Sequence, residues 1–382
     1  MNADLLLLVE TGLQGVVQAP RVAEIMSPDW LCHLWFVILC FLLTGYAILD
    51  GFDLGVGIIH FLIARDDRER AAQAGAIGPF WDGNEVWLVT FGGALFASFP
   101  LAYGSIFSAF MVPVMIVLFC LILRATSLEF RSKAGSRFMR FVWDLAFSGS
   151  SLLATFLFGA SVGAVMGGIP IDDSGALKLE ESSGMMAEIT FAITPLSVAS
   201  GMLAVTLFAL HGLLFLNLRT TGEYQSRVRK AFPALYAAFV LVFVATTVLA
   251  LRDMPPVGRS TIWIAVVATL NVLAVLNLPR AMYYGRPWGA FMSSSLVIAA
   301  LVFLFGRTVH PNLLTSSLDA AWNIDIFEAA STKATMLTML VVVCFGVPFV
   351  MLYTAITYWT FRGTLDLSGG HTEEGCIDQD TK

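Results

Sequence analysis

Long apolar runs alternate with short polar ones along this chain, and the runs set its architecture. Nine stretches are apolar over roughly the 20 residues a helix needs to cross a bilayer: 30–64, 84–104, 106–125, 142–167, 190–218, 232–251, 261–283, 287–306 and 335–361. The first is too long for a perpendicular span, so tilt, a kink at its glycines or protrusion must absorb the excess. Gly51 and Gly55 form a GxxxG pair, and Gly159, Gly163 and Gly167 recur every fourth residue. Such small faces let helix backbones approach closely. The pattern predicts an all-α polytopic membrane protein with about nine transmembrane helices. Three segments follow: an N-terminal extension or surface segment over 1–28, a transmembrane domain over 29–362, and a polar tail over 363–382. No basic region precedes Leu5–Leu8, so that stretch does not read as a secretory signal.

Composition sharpens this picture. The 382 residues are 57% hydrophobic and 13% charged, whereas a soluble globular chain carries roughly 25% charged residues. The net charge of -6 implies no nucleic-acid partner. Taking alternate loops as one side, Lys and Arg divide 6 against 16. The positive-inside rule then places the N-terminus outside (periplasmic) and the C-terminus in the cytoplasm. Cys32, Cys40, Cys120, Cys344 and Cys376 are scattered, which argues against a zinc ribbon, an iron–sulfur ligand set and covalent haem attachment. No phosphate-binding loop, dinucleotide fingerprint or nucleophile elbow is present, so nothing reads as a self-sufficient enzyme.

The candidate chemistry lies in polar residues inside the runs, because ionisable groups at membrane depth are costly and usually face a bundle interior. Asp50 and Asp53 lie three residues apart on one helical face, and Gly57 and His60 continue that stripe. It reads either as a proton or cation path or as a satisfied polar seam that fixes packing. In Phe80-Trp81-Asp82-Gly83-Asn84-Glu85-Val86-Trp87, two carboxylates, an amide and two indoles fall within eight residues. Asp82 reads as a relay or as a helix cap, and Trp81 and Trp87 as functional residues or interfacial anchors. Arg124, with Glu129 and Arg131 nearby, pairs with the acids or marks the interface. Asp144 is another acid at a predicted helix start, with capping as its plain reading. His33, His60, His211, His310 and His371 show no HxxxH or ExxH spacing, so no haem or metal ligand set is predicted in this chain.

The segments Leu49-Asp50-Gly51-Phe52-Asp53-Leu54-Gly55-Val56-Gly57 and Trp81-Asp82-Gly83-Asn84-Glu85-Val86-Trp87-Leu88 closely resemble subunit II of the cytochrome bd quinol oxidases. So do Gly92-Gly93-Ala94-Leu95-Phe96-Ala97, Pro100, Phe130-Arg131-Ser132-Lys133, Trp143-Asp144, and Leu352-Tyr353-Thr354-Ala355 followed by Tyr358-Trp359. The resemblance covers about residues 26–362. It implies a terminal oxidase of a bacterial inner membrane that oxidises quinol and reduces oxygen to water. It implies a haem-bearing subunit I, with haem b, haem d and the quinol site. This chain would be its haem-free partner, folded as two four-helix bundles plus one peripheral helix. Surrounding lipid, the quinol pool and a small accessory subunit are further expected partners, and some members hold a structural quinone in subunit II.

For the site, the resemblance implies a cytoplasmic proton-uptake path on Asp82, with Asp50, Asp53 and Asn84 in support. Glu85 adds a charge where some members carry glutamine. Trp87 matches a tryptophan near the mouth of an oxygen tunnel in the family. Trp81, Arg124 and Asp144 are further interface or oxygen-path candidates. Two departures stand out. Residues 1–25 have no counterpart in members that begin near Met26, which leaves Met1 and Met26 as alternative starts. The loop Arg252–Ser260 is shorter than in some members, so their quinone contacts are not carried over. Two rival readings use the same acids: a stand-alone proton- or cation-coupled transporter with a midplane site, and a purely structural assembly partner.

Overall fold

The computed structural model describes residues 27–178, 190–253 and 261–365. The readings placed on the extreme N-terminal segment, on Met1 and Met26 as alternative starts, on most of the loop Arg252–Ser260 and on the tail beyond 365 fall outside these residues. Within them run twelve α-helices: α1 Asp29–Ile58, α2 His60–Ile63, α3 Asp67–Ile77, α4 Trp81–Ser98, α5 Pro100–Ala109, α6 Met111–Arg131, α7 Arg137–Gly167, α8 Pro195–Arg219, α9 Gly222–Asp253, α10 Thr261–Tyr283, α11 Pro287–Val309 and α12 Lys333–Thr360.

Among the described residues, eight helices are long and apolar enough to cross a membrane: α1 and α6 through α12. The remaining predicted span, 84–104, is α4 followed by α5. Asp82, Asn84 and Glu85 make the start of α4 polar, and the helix breaks at Phe99 (φ -135°, ψ 67°). Pro100 opens α5, where its missing N–H costs nothing. The predicted boundary near residue 105 therefore moves to Phe110, between α5 and α6. The over-long first run resolves similarly. It leaves regular helix at Ile59 and finishes as the single turn α2.

Helices α1, α4, α6 and α7 pack as one four-helix bundle, and α8 to α11 as another. The two meet where α1 touches α8 and α11 and where α7 touches α8. Helix α12 leans on α4, and Phe345, Phe349 and Trp359 leave its outer side exposed and apolar. The close approach between bundles depends on glycine. A Cβ on Gly55 would sit 1.9 Å from the Phe208 carbonyl oxygen, and one on Gly212 would sit 2.4 Å from the Gly55 carbonyl carbon. Gly159 and Gly163 likewise lie against Ser200 and Ser197 of α8, whereas Gly167 faces open space. Overpacking commonly costs about 1–3 kcal/mol, and here the obstacle is backbone. Gly55→Leu is expected to abolish a stable, monodisperse peak in detergent size-exclusion chromatography. Gly75→Ala, where a Cβ meets nothing within 4 Å, should leave that peak in place.

The two ends of the molecule differ. Arg131, Arg137 and Arg140 gather with the α2–α3 segment at one end, where Arg131 and Arg140 both bind Asp67. At the other end, β1 (Asn312–Leu314) pairs antiparallel with β2 (Ile324–Asp325). Leu314, Ile324 and Ile326 bury into one cluster with Trp35 and Ile169. His33 and His310 join this loop to α1 through a 3.0 Å contact between Nδ1 and Nε2. Burial, then the neighbouring His33 and Arg307, hold His310 below the ordinary histidine value of 6.5. The native chain thus binds fewer protons there than the unfolded chain. The contact is fully stabilising above about pH 6.5 and weakens as pH falls below it. Limited proteolysis of the β1–β2 loop should therefore quicken between about pH 7.5 and pH 5.5, and His310→Phe should remove that pH dependence.

Candidate functional site

Helical periodicity turns Tyr46, Asp50, Asp53 and Gly57 of α1, with His60 of α2, onto one inward stripe, and all four side-chain-bearing members are buried. Arg124 of α6 reaches into this stripe and is itself fully buried. Its Nη1 donates to Asp50 Oδ1 at 2.7 Å, and its Nη2 donates to Glu85 Oε1. Asp53 has no guanidinium of its own. Its Oδ2 accepts from Asn84 Nδ2 at 2.7 Å, and the same amide donates to the Leu49 carbonyl at 3.1 Å. The Tyr358 hydroxyl of α12 closes the group by donating to Asn84 Oδ1 at 3.4 Å.

Arg124 thus pairs with two carboxylates, Asp50 and the partly exposed Glu85, while a third, Asp53, is buried nearby on the Asn84 amide. Fixed positive charge cannot neutralise all three, so the group is suited to binding and releasing protons. Asp50 Oδ2 and Asp53 Oδ1 are buried without a hydrogen-bond partner in this chain. Such atoms ordinarily take a bound water.

The sequence candidates divide around this cluster. Asp50, Asp53, Asn84, Glu85 and Arg124 come together. Asp82 does not join them: one turn before Glu85, it lies exposed on the outer side of α4 with Val86 and Val89. It makes no cap either, because α4 starts without a side-chain cap bond. Trp81 is half-buried. Trp87 is buried beneath α1 and fills the notch left by Gly45, where a Cβ would fall 2.1 Å from its ring. It also lines an apolar cavity of about 250 Å³ between α1, α4 and α12, with Leu42, Thr90, Gly93, Met339 and Val343.

The capping reading of Asp144 is overturned. Helix α7 begins earlier, with Ser136 as its cap. Asp144 lies two turns further in and is buried, bound to Arg131 Nε at 2.5 Å and to His60 Nε2 at 3.0 Å. Sequence reasoning left His60 and Arg131 unconnected, because the pairing links residues 84 and 13 positions apart. The only available signal was that His60 shares the stripe of Asp50 and Asp53.

Both nitrogens of His211 are bound, to Ser294 and the Ile48 carbonyl, and its ring stacks on Phe291. His60 is held by Asp144, and His33 and His310 hold each other. Among the described residues, no group of three or more His, Cys, Asp or Glu is placed to hold a metal ion.

Comparison with known proteins settles the family. The model for cytochrome bd terminal oxidase subunit II matches residues 31–361. The chain belongs to that family. It is 30% identical over 335 residues to cytochrome bd ubiquinol oxidase subunit 2 of Bacillus subtilis, covering 87% of this chain and 96% of that one. It is 28% identical over 365 residues to cytochrome bd-I ubiquinol oxidase subunit 2 of Escherichia coli K12, covering 88% and 95%. The bd oxidase of Geobacillus thermodenitrificans has the same fold, with a TM-score of 0.71 at 19% identity over 87% of this chain and 99% of that one. This subunit II is therefore a multi-pass inner-membrane component of a cytochrome bd-type oxidoreductase. Its two bundles and peripheral helix are the expected architecture.

Proposed function

We propose that this subunit II supports a haem-bearing subunit I in a quinol-oxidising, oxygen-reducing complex and supplies part of its cytoplasmic proton-uptake path. One observation carries the second half: two carboxylates, Asp50 and Glu85, share a single buried guanidinium, and a third, Asp53, is buried beside them with only the Asn84 amide as partner. Arg124 lies seven residues from the end of α6, about 10 Å at 1.5 Å per residue. That end is the basic one, and the positive-inside rule makes it cytoplasmic, with the N-terminus periplasmic. Reduction of oxygen consumes protons, so a proton-binding cluster near that face suits the reaction.

Asp82 has a different part in this reading. An exposed carboxylate beside Val86 and Val89 on a membrane helix needs a polar neighbour. Subunit I is the partner that would cover it, making Asp82 a junction between the two chains. Haem b and haem d belong to that partner. The cavity beside Trp87 is lined almost wholly by apolar side chains, so it suits molecular oxygen or the tail of a structural quinone.

The test is mild-detergent purification through a tag on Lys382, with an absorption spectrum and identification of the co-purifying chains. A haem-bearing partner with bd-type bands is the expected result, and the separated subunit should be colourless. A colourless, stable, solitary chain would overturn the reading in favour of a transporter.

A further inference from the structure

The β1–β2 end of the molecule carries a pair of histidines that the proposed function does not use. His33 lies in the first turns of α1, and His310 follows directly after α11. They are 277 positions apart in the chain, yet His33 Nδ1 and His310 Nε2 stand 3.0 Å from each other. His33 is exposed and His310 half-buried, so the pair opens to solvent rather than into the core. No spacing in the sequence could have joined them.

Both rings are held in place by their surroundings. Phe36 packs edge-on against His310 at 5.2 Å between ring centroids, and Phe327 packs edge-on against His33 at 5.3 Å. The His310 backbone N–H donates to the Gly306 carbonyl at 3.0 Å, and the Pro311 carbonyl accepts from the Ile326 N–H at 3.0 Å. These bonds fix His310 between α11 and the segment that follows β2. The charges around the pair are of both signs. Asp29 stands one turn before His33 on α1 and Glu328 adjoins Phe327, both exposed. Asp325 spends Oδ1 on the backbone N–H groups of Phe327 and Glu328. Arg307 acts on His310 from the last turn of α11.

Two nitrogens that bind one ion at about 2.0–2.1 Å each, at angles of about 90–110°, lie roughly 2.8–3.4 Å apart. The observed spacing falls inside that range. Without a metal, one ring donates its proton to the other. Moving that proton to the remote nitrogen of its own ring leaves two lone pairs side by side, with no net change in charge.

We propose that His33 Nδ1 and His310 Nε2 form a two-imidazole site for a divalent transition metal of the zinc and copper class, with water completing the coordination. Imidazole suits these ions. Among the described residues no third His, Cys, Asp or Glu is placed to join the pair, so the site is open rather than a closed structural one. A bound ion would bridge the start of α1 to the segment between α11 and β1, tying down the β1–β2 loop. The site is independent of the carboxylate cluster and of the haems.

The test uses the intact oxidase, purified through a streptavidin-binding tag on Lys382 so that no added histidine competes. After stripping with EDTA, Zn²⁺ is titrated by calorimetry and Cu²⁺ is read by electron paramagnetic resonance. Metal bound elsewhere in the complex cancels when parent and variants are compared. His33→Gln and His310→Gln should each lose one zinc equivalent, or weaken that site more than tenfold, at unchanged haem absorbance. His371→Ala should lose nothing. The Cu²⁺ spectrum should show splitting from two imidazole nitrogens in the parent and from one in each glutamine variant. Saturating Zn²⁺ should slow proteolysis of the β1–β2 loop in the parent and not in the variants. Equal zinc binding in the parent and both glutamine variants overturns the proposal, as does loss of the equivalent in His371→Ala instead. A parent Cu²⁺ spectrum without two-nitrogen splitting also overturns it, and that reading needs no variant to assemble.

Discussion

Arg124→Leu is expected to leave little spectrally intact oxidase in the membrane. The guanidinium holds both Asp50 and Glu85, and both Arg124 and Asp50 are fully buried. Removing one partner of a buried ion pair costs about 3–5 kcal/mol, since the abandoned carboxylate has no water to turn to. That is a large part of the whole stability of an ordinary domain, about 5–15 kcal/mol. Arg124→Lys should rescue only partly, because one ammonium cannot reproduce a planar fork that serves two carboxylates. The diagnostic variant is Arg124→Leu combined with Asp50→Asn and Glu85→Gln, which removes the stranded charges and should recover assembly. Haem absorbance per milligram of membrane protein, with a heating series in detergent, reads all three. Normal assembly in the single leucine variant would mean that the carboxylates find other partners, and the cluster would need another explanation.

How much of this site was legible depended on how far along the chain its information lay. Asp50, Asp53 and His60 shared a face by helical period alone, and the structure keeps them on one stripe. Period also held the answer for α4: with Glu85 turned inward, Asp82 three residues earlier shares the outward side with Val86 and Val89. Motif proximity obscured this by treating Asp82, Asn84 and Glu85 as one unit. The break at Phe99 was signalled by Pro100 but hidden by unbroken hydropathy. Arg124 meeting Asp50, and Asp144 meeting His60, were not legible. These contacts depend on how α6 and α7 are rotated against α1; for α7 that rotation is marked by the fit of Ser151 to Gly57. The capping alternative for Asp144 arose because the predicted span begins at residue 142, whereas Ser136 starts the helix.

Asp53→Asn should have the opposite signature to Arg124→Leu: full assembly with slow turnover. Asp53 is the carboxylate in the cluster without a guanidinium, bound instead by the Asn84 amide. An asparagine there strands no cation and keeps the shape, so the fold should tolerate it. It removes the one group in the cluster able to take a proton without breaking an ion pair. Loss of a positioned proton carrier commonly costs on the order of 10²-fold in rate. Oxygen consumption and proton uptake per electron, measured on enzyme matched for haem absorbance, are the readouts. Both should fall in Asp53→Asn. Asn84→Ala should show a milder loss, because it frees the Asp53 carboxylate and the Tyr358 hydroxyl from their shared amide. Full turnover in Asp53→Asn, with the complex intact, would leave the three carboxylates as a packing device around Arg124 and move the proton path to subunit I.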